Sequence, residues 1–171
     1  MELLIRKVTK SKWSKDPLSD IKDLSADAIT SCLRTSSNTL SLWHVKDVDS
    51  MNDAILALAS GFDRIDTIDV VLLEKDYLNS HFNIEQTEGK TKVPDLINTH
   101  YDICHLTYEK IGNVATYVQE QILSKKIKRY RVVEIATILN EAIALGRLKN
   151  EDLKEKVRIT LEKYSSPKNN S

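Results

Sequence analysis

Apolar positions along the chain follow two different periods. In Leu3-Leu4-Ile5-Arg6-Lys7-Val8, residues Leu4, Arg6 and Val8 share one face and Leu3, Ile5 and Lys7 the other, which is the alternation of a strand. Beyond a polar stretch with Pro17, the run Leu24 to Leu33 brings Ala28, Ile29, Cys32 and Leu33 to one side of a short helix with Ser25 as its cap. Thr39 to Val45 alternates again and is rich in residues suited to a pleated surface, so it predicts a second strand. In the helix expected next, Ser50 is the cap, Asp53 lies near the positive end, Met51, Ala54, Ile55, Leu58 and Ala59 form the stripe, and Gly61 is the left-handed terminator. Ile68 to Leu73 is more continuously apolar and reads as a third, more central strand.

The longest periodic run is Ile97, Tyr101, Cys104, Tyr108, Ile111, Ala115, Val118, Ile122, in steps of four and three. It predicts one helix over residues 95–125 with a single buried seam, opened by Pro94 in its first turn. Gly112 lies inside that helix but off the seam, where it is read as a mark of another backbone passing close by. Val132, Ile135, Ala136, Leu139, Ala142 and Ile143 give the following helix its face, ending at Gly146. A last helix is expected to open at Asn150 and to carry Leu153, Val157, Leu161 and Tyr164. Residues 79–93 are polar and aperiodic, a long loop or irregular hairpin, and 166–171 are a fraying tail. The expected fold is therefore α+β. A small three-stranded sheet, partly parallel or mixed, with two helices occupies residues 1–93, and a three-helix region occupies 94–165, the two docked as one compact unit.

Composition agrees with a helix-rich chain, because four glycines and three prolines are few for 171 residues. The longest purely apolar runs resemble Val70-Val71-Leu72-Leu73 and fall far short of the roughly 20 residues that span a bilayer, so no membrane is expected as a partner. Met1 to Lys7 has neither the basic start nor the long apolar region of a secretory signal, and the mature protein is expected to start at Met1 and stay in the cytoplasm. Cys32 and Cys104 sit in apolar patterns as small hydrophobes rather than as a disulfide framework. The net charge of zero hides an asymmetry. Residues 1–95 carry 12 Lys and Arg against 16 Asp and Glu, and residues 96–171 carry 13 against 9, which suits contact between the halves, head-to-tail association or an acidic partner.

The most distinctive string runs from Arg34 to His44, Arg-Thr-Ser-Ser-Asn-Thr-Leu-Ser-Leu-Trp-His. An arginine, hydroxyls, an amide, a tryptophan and a histidine on a helix-to-strand loop suit a recognition site, with Arg34, Asn38, Trp43 and His44 as the binding candidates. The structural alternative has Arg34 on its helix carbonyls, Asn38 in a turn and Trp43 in the core. The segments Leu33-Arg34-Thr35, Asn38, Leu40-Ser41, Trp43 and Ala57-Leu58-Ala59 together resemble a family of uncharacterised bacterial proteins. The resemblance covers about a third of the chain; it implies a bacterial origin and no particular activity.

Lys125, Lys126, Lys128, Arg129 and Arg131 surround Tyr130 and are the nucleic-acid-binding candidates, with a solvated helix connector as the competing reading. His100 and Cys104, four apart on the expected helix, make two ligands and not a metal site. There is no Gly-rich phosphate loop, Ser-centred elbow or zinc-finger spacing, so neither a cofactor nor a metal is expected, and the sequence leans away from an enzyme. The functional expectation is a cytoplasmic protein-interaction, accessory or immunity-type module with a protein partner, and with self-association through helical faces as a further route. The alternatives are a nucleic-acid-associated protein using the 125–131 cluster and an enzyme with a polar site at Arg34, Asn38 and His44.

Overall fold

The computed structural model describes residues 2–13 and 24–165. The polar stretch around Pro17 and the tail 166–171 lie outside the described residues. Six strands build one sheet: β1 (Leu3–Val8), β2 (Leu40–Val45), β3 (Ile68–Glu74), β4 (Asn83–Thr87), β5 (His100–Cys104) and β6 (Ile127–Tyr130). They lie in the order β4-β5-β2-β1-β3-β6, and every neighbouring pair is antiparallel. The helices are α1 (Lys10–Trp13), α2 (Ala26–Cys32), α3 (Val48–Ala59), α4 (Lys75–His81), α5 (Tyr108–Leu123), α6 (Val132–Ala144) and α7 (Glu155–Ser165), with 3-10 turns at Pro94–Thr99 and Asn150–Asp152.

Alternation along the strands divides the core in two. Leu4, Leu40, Leu42, Val71, Leu73 and Ile103 face α1, α2, α4 and α5, while Ile5, Trp43, Val45, Ile68 and Val70 face α3, α6 and α7. Central strand β1 is covered on both sides, with Leu4 and Ile5 both completely buried. Each such side chain contributes about 1.5–3 kcal/mol by leaving water.

This architecture corrects the expected one. The sheet has six strands rather than three, it is antiparallel rather than partly parallel, and it draws β5 and β6 from the stretch expected to be purely helical. The predicted 95–125 helix is three elements: a 3-10 turn, strand β5, and α5, which starts only after Thr107, whose side chain accepts from Lys110 N at 3.3 Å. Asn98, Thr99, His100, Tyr101 and Asp102 are all weak helix formers, and pairing with β2 and β4 overrides the four-three spacing. Residues 79–93 contain the end of α4 and all of β4. The cap of α3 is Asp47 rather than Ser50. Ser50 sits three residues later and completes a reciprocal capping box, with Ser50 N to Asp47 Oδ1 2.8 Å and Asp47 N to Ser50 Oγ 2.8 Å. Helix α3 ends at Ala59 with Ser60 as its cap, and Gly61 is not left-handed; Gly146 is, at φ 71°, closing α6 as expected. The last α-helix begins at Glu155, after a 3-10 turn at Asn150.

Gly112 also departs from expectation, because a Cβ built on it meets nothing within 4 Å. Among the described residues nothing would meet that Cβ, so the effect expected of this glycine is its helix penalty. Gly112→Ala is expected to raise the unfolding free energy by about 1 kcal/mol in urea titration; a decrease would restore the close-approach reading.

Candidate functional site

The side chains most organised for recognition lie where β4, β5 and β2 meet on the face of the sheet that carries α3. Register places Trp43 opposite His100 and His100 opposite Thr87, so one row crosses three strands; Ser41 opposite Asp102 forms the next row. These side chains share a face because they occupy alternate positions on their strands. Ser41 Oγ donates to Asp102 Oδ1 at 3.1 Å and Thr87 Oγ1 donates to Asp102 Oδ2 at 2.9 Å. Thr87 Oγ1 also lies 2.8 Å from His100 Nδ1. The Trp43 and His100 rings meet edge-on, 4.9 Å between centroids. Above them is an open cleft of about 330 Å³ lined by Ser41, Trp43, His100 and Asp102, by Glu88 and Lys90, and by the turn residues Ser36, Ser37 and Thr39.

Two local features shape the cleft. Ser37 and Asn38 are both left-handed, φ 52° and 59°, and form a tight two-residue turn closed by Ser36 N to Thr39 O at 3.2 Å and Thr39 N to Ser36 O at 2.9 Å. Gly89, between the lining residues Glu88 and Lys90, packs directly against Trp43 and His100, its N–H donating to Ile97 O at 2.8 Å. Behind the floor, Arg6 donates from Nε to Cys32 O at 3.0 Å and from Nη1 to Ser41 O at 2.9 Å. Burial pushes the His100 imidazole below its ordinary range; the Asp102 charge opposes this and Arg6 reinforces it. His100 is therefore neutral near pH 7.

The candidates read from the sequence are dispersed. Trp43 forms part of the cleft wall and is otherwise core, 5% exposed. Arg34 and Asn38 are exposed on the adjoining turn, where Asn38 O accepts from Leu106 N at 3.0 Å. His44 points to the opposite face of the sheet, 3.4 Å from the Glu2 carboxylate, so Arg34, Asn38 and His44 do not converge on one site. His100, Asp102, Thr87 and Gly89 were not singled out as a recognition group, and the signal was the alternation His100, Asp102, Cys104 with a glycine upstream. Among the described residues, no group of three or more His, Cys, Asp or Glu is placed to hold a metal ion, and both cysteines are free and buried.

The basic cluster is an edge strand and its flanks. Lys126 pairs with Glu74 at 2.5 Å, Arg129 clamps the buried Asp69 with bonds of 2.8 and 3.0 Å, and Arg131 pairs with Glu134 at 3.2 Å. Lys128 lies over the Tyr130 ring, 4.8 Å from its centroid, and Lys125 is left-handed at φ 60°. Burial pushes the Asp69 carboxyl up, but the bonds from Arg129 and from Lys10 N outweigh it and hold the group below the usual carboxylate range. Three of the five cations are thus committed to carboxylates of the same chain, and their placement guards the β6 edge against foreign strands. No described helix is long and apolar enough to cross a membrane. No family model, curated protein or solved structure matches this chain.

Proposed function

We propose that the chain is a protein-binding module of the accessory or immunity type, acting in the bacterial cytoplasm. Its working surface is the corner where the 36–39 turn meets the 105–108 segment, together with the cleft beside it. The observation that carries this reading is a concentration of strain. Of the four non-glycine left-handed residues among those described, Ser37, Asn38 and His105 meet at this corner, bridged by the Leu106 N to Asn38 O bond. Strained backbone of this kind persists where the surroundings hold it and gathers at functional sites. The same corner carries Tyr108, 96% exposed at the first turn of α5, and Arg34, residue types that dominate binding energy at protein interfaces. Tyr108 contributes nothing to the core, so its exposure lacks a folding reason.

The nucleic-acid reading gains no such support, because Lys126, Arg129 and Arg131 are held by Glu74, Asp69 and Glu134. The test is affinity capture from the native host with the full chain as bait. A stoichiometric protein partner is expected for the wild type, with loss of roughly tenfold or more in affinity for Tyr108→Ser and for Arg34→Glu at unchanged melting temperature. Absence of any stoichiometric partner, or equal retention by both variants, sinks the proposal.

A further inference from the structure

We infer that the cleft seats a planar N–H donor of the partner, an amide or a guanidinium, on His100 Nε2, and that Thr87 is the positioning residue that turns this nitrogen into an acceptor. The inference rests on the reading of the cleft as part of the binding surface and adds the chemistry of what enters it.

The available protons fix the direction of every bond around His100. Thr87 has one hydroxyl hydrogen and two close neighbours, Asp102 Oδ2 at 2.9 Å and His100 Nδ1 at 2.8 Å. A carboxylate only accepts, so the Thr87 hydrogen goes to Asp102. The Thr87 oxygen then accepts, and Nδ1 must carry the hydrogen that fills the 2.8 Å contact. In a neutral ring the lone pair is therefore on Nε2. Asp102 is fixed in turn by Ser41 Oγ at 3.1 Å, which leaves the chain Ser41, Asp102, Thr87, His100 with one orientation of hydrogen bonds. Direct contact between His100 Nδ1 and Asp102 is 3.9 Å, too long for a hydrogen bond, so Thr87 carries the link. Among the described residues nothing bonds Nε2, while the ring borders the cleft and is 6% exposed. A lone pair held this rigidly at the edge of an open cleft favours a ligand that brings a hydrogen to it.

The surroundings favour N–H groups of the planar kind. The charged lining is two carboxylates, Glu88 and Asp102, against one ammonium, Lys90, a negative balance that suits a ligand bringing donors. Arg6 is not among the residues that line the cleft, and its Nε and Nη1 bond Cys32 O and Ser41 O, but its charge does oppose a cation. A neutral amide and a charged guanidinium share the N–H that His100 requires and differ in how they meet Arg6, so both serve as probes.

The experiment uses the full ¹⁵N-labelled chain and long-range proton–nitrogen correlation of its histidine rings near neutral pH. The expected wild-type signal is an Nδ1–H tautomer for His100, with Nε2 at the shift of an unprotonated nitrogen. Methylguanidinium or acetamide, at roughly 10–100 mM as suits such small ligands, moves Nε2 upfield, and acetate, which lacks N–H donors, does not. Thr87→Val abolishes the response and Thr87→Ser restores it. A wild-type Nε2–H tautomer overturns the inference, as does an Nε2 signal indifferent to both donor probes or equally moved by acetate. The wild-type tautomer and Thr87→Ser keep the test decisive even if Thr87→Val does not fold. A partner captured through Tyr108 alongside an unresponsive Nε2 removes this inference and leaves the binding-module proposal standing.

Discussion

Val118→Asp is expected to abolish the cooperative urea transition at pH 7. Val118 is completely buried on α5 beside Val114, Ala115 and Ile122, in the same cluster as Leu4, Leu42, Leu73 and Ile103 of the sheet. A carboxylate there loses its hydration and finds apolar neighbours, a cost of several kcal/mol whether it stays charged or takes up a proton. Whole domains are stable by only about 5–15 kcal/mol. The measurement is far-UV circular dichroism against urea. A variant that still unfolds cooperatively at the wild-type midpoint would mean that α5 does not cover the sheet. Because protonation lowers the cost, partial recovery of the transition at mildly acidic pH is the second sign that burial of the charge is the cause.

The seam that contains Val118 was legible from the sequence, and its extent was not. Ile111, Ala115, Val118 and Ile122 do line one side of α5. The same spacing continued back to Ile97 only because four apolar residues in twelve fit a helix or a strand about equally well, and long-range pairing decided for β5. A helical period over these residues also hides the candidate site. On a helix His100 and Asp102 stand about 200° apart, whereas on a strand they share a face, so a wrong period separates residues that the fold brings together. Strand β4 escaped because Asn-Ile-Glu-Gln-Thr at a sheet edge shows little apolar alternation, and β6 because its Lys and Arg read as a solvated connector. Strands β1, β2 and β3 and helix α3 were recovered because each carried its own local signal: alternation in β1 and β2, a continuous apolar run in β3, and an amphipathic stripe in α3. Trp43 and His44 show how far such signals reach. The alternation that identified β2 also requires that these neighbours face opposite sides, which separates two residues of the string first read as one site.

Gly89→Ala tests the wall of the cleft and its link to the core in one substitution. A Cβ at Gly89 would collide with Trp43 Cη2 and stand 2.9 Å from Trp43 Cζ3 and 2.8 Å from His100 Cβ, all closer than a Cβ approaches a neighbour in folded proteins. The His100 Cβ is anchored to paired strand β5 and yields little. Gly89 is itself held by its N–H on Ile97 O at 2.8 Å and by Thr91 N on its carbonyl at 3.0 Å. Relief must come from the Trp43 ring, packed in the core, or from rupture of those bonds. Overpacking of this kind costs about 1–3 kcal/mol, and a domain of this size loses roughly 2–4 °C of melting temperature per kcal/mol. Gly61→Ala is the control, because its nearest neighbour would be at 3.8 Å, an ordinary contact. Since Trp43 and His100 meet the same added methyl, the loss of stability should come with altered tryptophan emission and a displaced His100 Nε2 signal. Wild-type melting and an unmoved His100 in the Gly89→Ala variant would mean that the wall is loose, and a loose wall cannot hold a donor on one face of an imidazole.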